Sequence, residues 1–494
     1  MFHKRQLAYA PWLLAPAVIA LGFLVIPLFA VAWRTPWSDF GALISAPDSR
    51  DALWLSVRTC LVSTTVTAVI GVPLAFVLAK TDRWWARAMR LLVLLPMVLP
   101  PVVTGLALLL TWGRMGLLGH YLEFAGIEIS FSTVAVIFSQ VFVAMPFLVM
   151  SFESAVRAAG DSYEVTARSL GASRTRTFFG VSLPVLFPAL ISAVALAFSR
   201  ALGEFGATMT FAGSLQGVTR TMPLQIYLQR EMDTDQALAL AVVLIALAGV
   251  MLGIASVSVV PWAWFGKFRR EVRIDNDVLL PTRRVHAPRI SVNADVAERN
   301  VAIRAQIPAG SVVAVMGANG SGKSTLLGLI SGTIPASTGT VSFSPASPRI
   351  VTLLQSPLLF PHLNVVENVE FGLRCAGYSR AAARRQALSE LALVGMTDHA
   401  YAAATKLSGG QGQRVALARA MAISPDVVLL DEPFAALDET TTDALRIQLR
   451  ERLTQAGVTA VIVTHDIVDA TDMADSILTL RHGKVISHSP VARQ

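Results

Sequence analysis

"SVVAVMGANGSGKSTLLGLI", residues 311–330, joins a run of apolar, mostly β-branched residues to a glycine-rich turn and then to apolar residues at helical spacing. A strand feeding a helix through G-x-x-x-x-G-K-S is the context of a phosphate-binding loop. Gly317, Gly320 and Gly322 let backbone N–H groups wrap phosphates, with Ala318, Asn319, Ser321 and Thr325 completing the cradle. Lys323 is expected to reach the β- and γ-phosphates, and Ser324 to ligate Mg²⁺. The expected cofactors are therefore ATP and Mg²⁺.

Outward from this loop the same pattern repeats. "DVVLLDE" (426–432) and "TAVIVTH" (459–465) read as further buried parallel strands alternating with helical stretches, so residues 289–494 form an α/β domain. The strand at 427–431 ends in two carboxylates. Asp431 is expected in the Mg²⁺ shell and Glu432 beside the attacking water.

Residues 1–266 have a different character. The chain is 54% hydrophobic and 15% charged, with a mean hydropathy of +0.57, which excludes a single soluble domain. Residues 1–288 hold 23 Lys and Arg against 16 Asp and Glu, and residues 289–494 hold 18 against 17. The positive excess thus belongs to the apolar half, the signature of membrane loops, whereas a nucleic-acid footprint needs a basic soluble face.

Six apolar segments of roughly 20 residues are predicted to span a bilayer, near 11–33, 55–79, 91–112, 132–151, 183–206 and 237–260. The first follows Lys4 and Arg5 like a secretory signal, but its apolar run is long for one and reads as a retained helix. Lys80, Arg83, Arg87 and Arg90 fall in one inner loop and Arg157, Arg168, Arg174 and Arg176 in the next. Lys267, Arg269, Arg270 and Arg273 follow the last span, while the outer side has only Arg34, Arg50, Arg114, Arg220 and Arg230. Both ends are therefore expected inside. Pro96, Pro100 and Pro101 predict that the third span is kinked or broken. Residues 267–288, mixed, polar and carrying Pro281 and Pro288, read as a linker. Cys60 and Cys375 sit in unlike contexts and suggest neither a disulfide nor a thiolate metal site.

"LSGGQGQRVALARA", residues 407–420, lies between the two phosphate motifs. With the glycine loop, Gln355 in "LLQSPLLFPHLNVVENV", "LLDEP", "AALD" at 435–438 and "VTHD" around His465, all in this order, residues 289–494 resemble the ATPases of ABC transporters. The resemblance implies that Ser408, Gly409, Gly410 and Gln411 contact ATP held by a partner subunit, and that Asp438 acts across the dimer seam. It further implies that Gln355 senses the Mg²⁺ and water site and that His465 clamps the γ-phosphate. The family's adenine-stacking aromatic has no counterpart, since no Phe, Trp or Tyr occurs from Arg269 to Ser342. Nucleotide selectivity is expected to be relaxed. With the chain ending at Gln494, no additional regulatory domain is expected.

"YEVTARSLGASRTRTFFGVSLP", residues 163–184, is similar to the EAA coupling loop of ABC importers at Gly171 and Leu183-Pro184. Val165 and Thr166 depart from that pattern, with Glu164 adjacent. The loop implies import, and one ATPase per chain implies a homodimer with twelve spans. "ALGEFGATMTFAGSLQGVTRTMPLQIY" (201–227), "LPMVLPPVVTGLALL" (95–109) and "QVFVAMPFLV" (140–149) resemble permeases for molybdate and tungstate, with sulfate and thiosulfate importers next. Such importers work with an extracytoplasmic oxyanion-binding protein, expected to dock around 113–131 and 207–236. From another class, an ATP-gated channel or a transport-derived sensor would share these motifs.

Arg200 and Glu204 lie i, i+4 in an apolar helix, where charges are costly unless paired or facing water. Two readings stand: a structural ion pair, or an anion path of Arg200 with hydroxyls of Ser199, Thr208 and Thr210. The expected fold is an all-α membrane domain of six transmembrane helices fused to an α/β P-loop ATPase.

Overall fold

The computed structural model of the chain describes residues 11–257, 286–434 and 439–491. Lys4, Arg5, Lys267, Arg269, Arg270, Arg273, Asp438 and residues 267–285 of the expected linker lie outside the described residues. The described residues fall in two compact units, Met1–Ala159 with Leu186–Val260 and Gly160–Val185 with Pro261–Gln494.

The first unit is helical. It contains α1 (Leu14–Arg34), α2 (Phe40–Ser45), α3 (Pro47–Ala79), α4 (Trp84–Val98), α5 (Pro101–Trp112), α6 (Gly119–Phe124) and α7 (Thr133–Ala159). After α8 (Ser162–Ser169) and α9 (Arg174–Thr177), which belong to the second unit, come α10 (Leu183–Leu202), α11 (Gly206–Phe211), α12 (Met222–Met232) and α13 (Thr234–Val257). Among the described residues, five helices are long and apolar enough to cross a membrane. The third expected span, 91–112, is the pair α4 and α5, bent by 116° where Pro100 and Pro101 interrupt the backbone ladder.

Several expected bounds change, and the fourth span runs on to Ala159, past the expected 151. The second span begins at Pro47, eight residues earlier than 55, because its polar first turns are held by side chains. Asp48 accepts hydrogen bonds from Gln225 (2.6 Å), Gln229 (3.0 Å) and Gln236 (3.0 Å), contacts that hydropathy does not register. The fifth span runs from Arg174 to Leu202 and stops before Gly203, where 183–206 was expected.

Small and hydroxyl residues of α3 recur every three or four positions, at Ser49, Ala52, Ser56, Thr59, Ser63, Thr67, Gly71 and Ala75, and all are buried. Such a face allows close helix approach where lipid offers no hydrophobic drive. A Cβ on Gly71 would lie 2.9 Å from Leu148 Cδ2 of α7. The large residues Leu61, Val66, Val69 and Ile70 point outward, as a lipid-facing surface requires.

The second unit has β1 (Arg289–Val296), β2 (Val301–Ile307), β3 (Val312–Met316), α14 (Lys323–Ser331), β4 (Thr338–Ser344) and β5 (Ile350–Leu353). Then come α15 (Val365–Cys375), α16 (Arg380–Leu393), α17 (Gly409–Ala422), β6 (Val427–Asp431), α18 (Glu439–Ala456), β7 (Thr459–Val463), α19 (Ile467–Met473), β8 (Ser476–Arg481) and β9 (Lys484–Pro490). A six-stranded sheet has the order β5-β6-β7-β3-β8-β9, parallel except for β9. An antiparallel sheet β2-β1-β4 accompanies it. The three predicted strands are β3, β6 and β7, with nearly every residue buried, as parallel strands covered on both faces must be.

Candidate functional site

Three adjacent strands, β6, β7 and β3, deliver their carboxyl ends to one place. Ligands of open α/β sheets bind outside such ends. There an open cleft of about 930 Å³ is lined by the glycine loop, Ser324, Thr325, Gln355, Asp431, Glu432 and His465.

The loop between β3 and α14 needs its glycines at two points. A Cβ on Gly317 would lie 2.3 Å from the Leu480 carbonyl oxygen and 2.6 Å from Ser321 Oγ. Gly322, the residue before α14, has φ +104°. Lys323 Nζ folds back on the Gly317 (2.7 Å) and Ala318 (3.1 Å) carbonyls, a position from which it can swing to an anion in the cleft. The loop N–H groups and the start of α14 make a nest for negative charge. Ser321 Oγ is buried without a hydrogen-bond partner among the described residues.

Glu432 stands at the centre of the polar group. Its backbone N–H donates to Val463 at the end of β7 (2.9 Å), and its φ is +48°, a left-handed conformation unusual for a residue with a Cβ. Gln355 Nε2 donates to Glu432 Oε2 (3.0 Å), and His465 Nδ1 lies 3.3 Å from Glu432 Oε1. Burial and the Glu432 carboxylate push the Asp431 carboxyl above its usual range, against the pull of Lys323. Ser324 hydroxyl, Gln355 amide and Asp431 carboxylate supply only hard oxygen donors. That set fits Mg²⁺ arriving with phosphates and water, as the ion is usually held.

Ser408 to Gln411 are elsewhere. Ser408 caps α17 in a reciprocal box with Gln411, with Gln411 N–H donating to Ser408 Oγ (3.3 Å) and Ser408 N–H to Gln411 Oε1 (3.0 Å). Ser408 and Gly409 are exposed, and none of the four residues lines the cleft. Arg299 and Val301 do line it, and the sequence reading missed both because an aromatic residue was sought in that segment.

The loop 163–184 packs within this unit. Ala167, Leu170 and Val181 are buried in the same core as Phe360, Val366 and Val415. Gly171 takes φ +86° at the end of α8, and Glu164 accepts from Ser182 Oγ (2.9 Å), bracing one end of the loop against the other. Arg176 Nη1 donates to the Arg374 carbonyl (3.0 Å), and His362 Nε2 lies 2.9 Å from the Gly180 carbonyl oxygen.

In the helical unit Arg200 Nη1 lies 3.0 Å from Glu204 Oε2, and Glu204 also accepts from the Ala207 N–H (2.9 Å). The pairing of charges is thus present. Ser199 and Thr210 hydroxyls donate to their own helices, and Thr208 is fully buried. Of the outer segment 207–236, Ala207, Thr208, Phe211 and Ala212 are interior; its exposed stretches are 215–218 and 230–235.

Residues 301–435 match the family described as ABC transporter, and residues 71–261 match the binding-protein-dependent transport system inner membrane component. Over 246 residues, 50% of this chain, the sequence is 52% identical to the molybdenum transport system permease protein ModB of Mycobacterium tuberculosis, covering 93% of that protein. Over 222 residues, 41% of this chain, it is 39% identical to the molybdenum import ATP-binding protein ModC of the same species, spanning 60% of its length. It is also 33% identical over 259 residues, 52% of this chain, to the probable transport system permease protein NifC of Clostridium pasteurianum, covering 91% of it.

Proposed function

We propose that this chain, which belongs to the binding-protein-dependent ABC transporters and carries permease and ATPase on one polypeptide, imports molybdate or the isostructural tungstate. It is a multi-pass protein of the cytoplasmic membrane whose cytoplasmic ATPase couples ATP hydrolysis to transport. The observation that carries the substrate is the 52% identity to ModB, which extends over 93% of that permease. We take 1–266 as permease, 267–288 as linker and 289–494 as ATPase.

In this reading the glycine loop and Lys323 bind the ATP phosphates, and Arg299 and Val301 take the adenine side in place of an aromatic. Mg²⁺, when bound by Ser324, Gln355 and Asp431, supplies charge neutralisation at the phosphates. Glu432 accepts the proton of the attacking water, with its carboxylate oriented by Gln355 and His465 on opposite oxygens. His465 then faces the γ-phosphate. Ser408, Gly409, Gly410 and Gln411 complete the site of a second copy, with Asp438 at the seam; their exclusion from their own chain's cleft supports a homodimer. Closure of two such ATPases moves the loop at Glu164 and Gly171, and through it the permease.

The oxyanion arrives from an extracytoplasmic binding protein that uses the exposed outer residues. Of the candidates for its path, Arg200 is partly exposed, while Glu204 and Thr208 are buried. The test is uptake into proteoliposomes with ATP inside and a candidate binding protein outside. Molybdate or tungstate should accumulate in preference to sulfate, and Lys323→Ala should stop it. Preference for sulfate moves the chain to a neighbouring substrate class, and hydrolysis without accumulation points to a channel or sensor.

A further inference from the structure

Arg419 is 4% exposed on α17, and among the described residues no carboxylate pairs with it. A buried charge without a counter-ion is costly, and burial pulls this guanidinium down to about 10. What it has instead is two carbonyls and a ring. Nη2 donates to Pro357 O (2.9 Å), Nη1 to Leu358 O (3.0 Å), and Cζ lies 5.3 Å from the Phe360 ring centroid.

Those partners sit on one short segment with several readouts in order. Gln355 reaches Glu432 at the hydrolytic centre. Pro357 packs so closely on α17 that a Cβ on Gly412 would lie 3.2 Å from its Cγ. Leu358 is held at φ +41°, a left-handed conformation that persists only where its surroundings impose it. Phe360 is fully buried, with the Tyr163 ring of α8 at 6.4 Å. His362 contacts Gly180 on the far side of the same loop.

At the other end of α17 are Ser408 to Gln411. Eleven residues of helix put Ser408 about 16 Å from Arg419 along a stiff rod. Any rigid shift of α17 is therefore delivered to two backbone carbonyls and one ring.

We infer that Arg419 is a positioning residue for coupling: it ties the helix that meets the partner's nucleotide to the segment 355–362 and so to the loop 160–185. This rests on the reading of Ser408 to Gln411 as the partner-site contact, and it is independent of which oxyanion is carried. A purely packing role would be served as well by an apolar side chain, since replacing buried charge with apolar volume is often neutral or stabilising.

The experiment is hydrogen exchange of residues 160–185 in the full chain in lipid nanodiscs, with and without ATP and Mg²⁺, in a Glu432→Gln background that holds the nucleotide. ATP should change exchange in this segment when Arg419 is present. Arg419→Met should reduce that change about fivefold or more, Arg419→Lys should restore part of it, and ATP binding should persist in both. Phe360→Leu, which removes the ring but keeps an apolar contact, should act like Arg419→Met. Persistence of the ATP-dependent change in Arg419→Met, or absence of any change with Arg419 intact, overturns the proposal. Failure of all three variants to fold assigns Arg419 to stability alone and overturns it equally.

Discussion

Replacing Glu432 in two ways separates its chemistry from its backbone. Its φ of +48° places a non-glycine residue in the left-handed region, at a cost of about 1–2 kcal/mol. Glu432→Gly removes that strain, but the added freedom of the unfolded chain returns about 0.5–1 kcal/mol. Taken at the middle of each range, the net gain is about 0.75 kcal/mol, or roughly 2–3 °C in the melting of an ATPase unit of this size. Its side-chain contacts, to Gln355 at 3.0 Å and His465 at 3.3 Å, involve exposed partners and contribute little to stability. Glu432→Gln keeps the strained backbone and loses only the proton acceptor. General-base assistance is typically worth about 10²–10⁴ in rate, about 2.7–5.5 kcal/mol of barrier. Single-turnover hydrolysis of labelled ATP should therefore fall by that factor in both variants, while only Glu432→Gly melts higher. Hydrolysis within tenfold of the parent in Glu432→Gln would refute the assignment of the base. An unchanged melting temperature in Glu432→Gly would refute the strain.

Two further outcomes probe the other elements. A Cβ on Gly171 would lie 3.8 Å from Cys375 Cβ, the usual separation in a disulfide, so Gly171→Cys in a Cys60→Ser background should oxidise to an intrachain link, at a backbone cost of about 1–2 kcal/mol for a Cβ at φ +86°. Two alkylatable thiols after mild oxidation would mean that the loop does not pack there. A Cβ on Gly206 would come to 2.4 Å from Pro101 Cβ, so Gly206→Ala must push α11 from the break between α4 and α5. Overpacking of this kind costs about 1–3 kcal/mol, and thermal unfolding of the membrane unit should show it while ATP binding stays intact; equal stability would show that the two helices have slack.

Much of the molecule could be read from residue types because the controlling physics is local. The runs at 312–316, 427–431 and 459–463 are too short and too uniformly apolar for anything other than strands covered on both faces. Prolines 100 and 101 announce a break because each lacks an N–H, and the bend of 116° is that loss made visible. The start of α3 was hidden because Asp48 is stabilised by glutamines some 180 residues away, a contact with no trace in local hydropathy. Glu432 gave no sign of a positive φ, since such positions are usually marked by glycine or asparagine. Arg419 reads as one more basic residue on a helix; its isolation from carboxylates and its hold on Pro357 and Leu358 exist only once α17 and the 355–362 segment are folded together.

Residues 160–185 belong by packing to the ATPase unit, yet both ends of this stretch continue directly into helices of the membrane unit. Motor and membrane part are therefore linked covalently, at an effective concentration of millimolar order where separate subunits would depend on their expression level. Dilution cannot strip the ATPase from its permease. One ATPase serves one permease in a fixed ratio, and no pool of free ATPases is left to hydrolyse ATP away from the membrane or to be lent to another transporter.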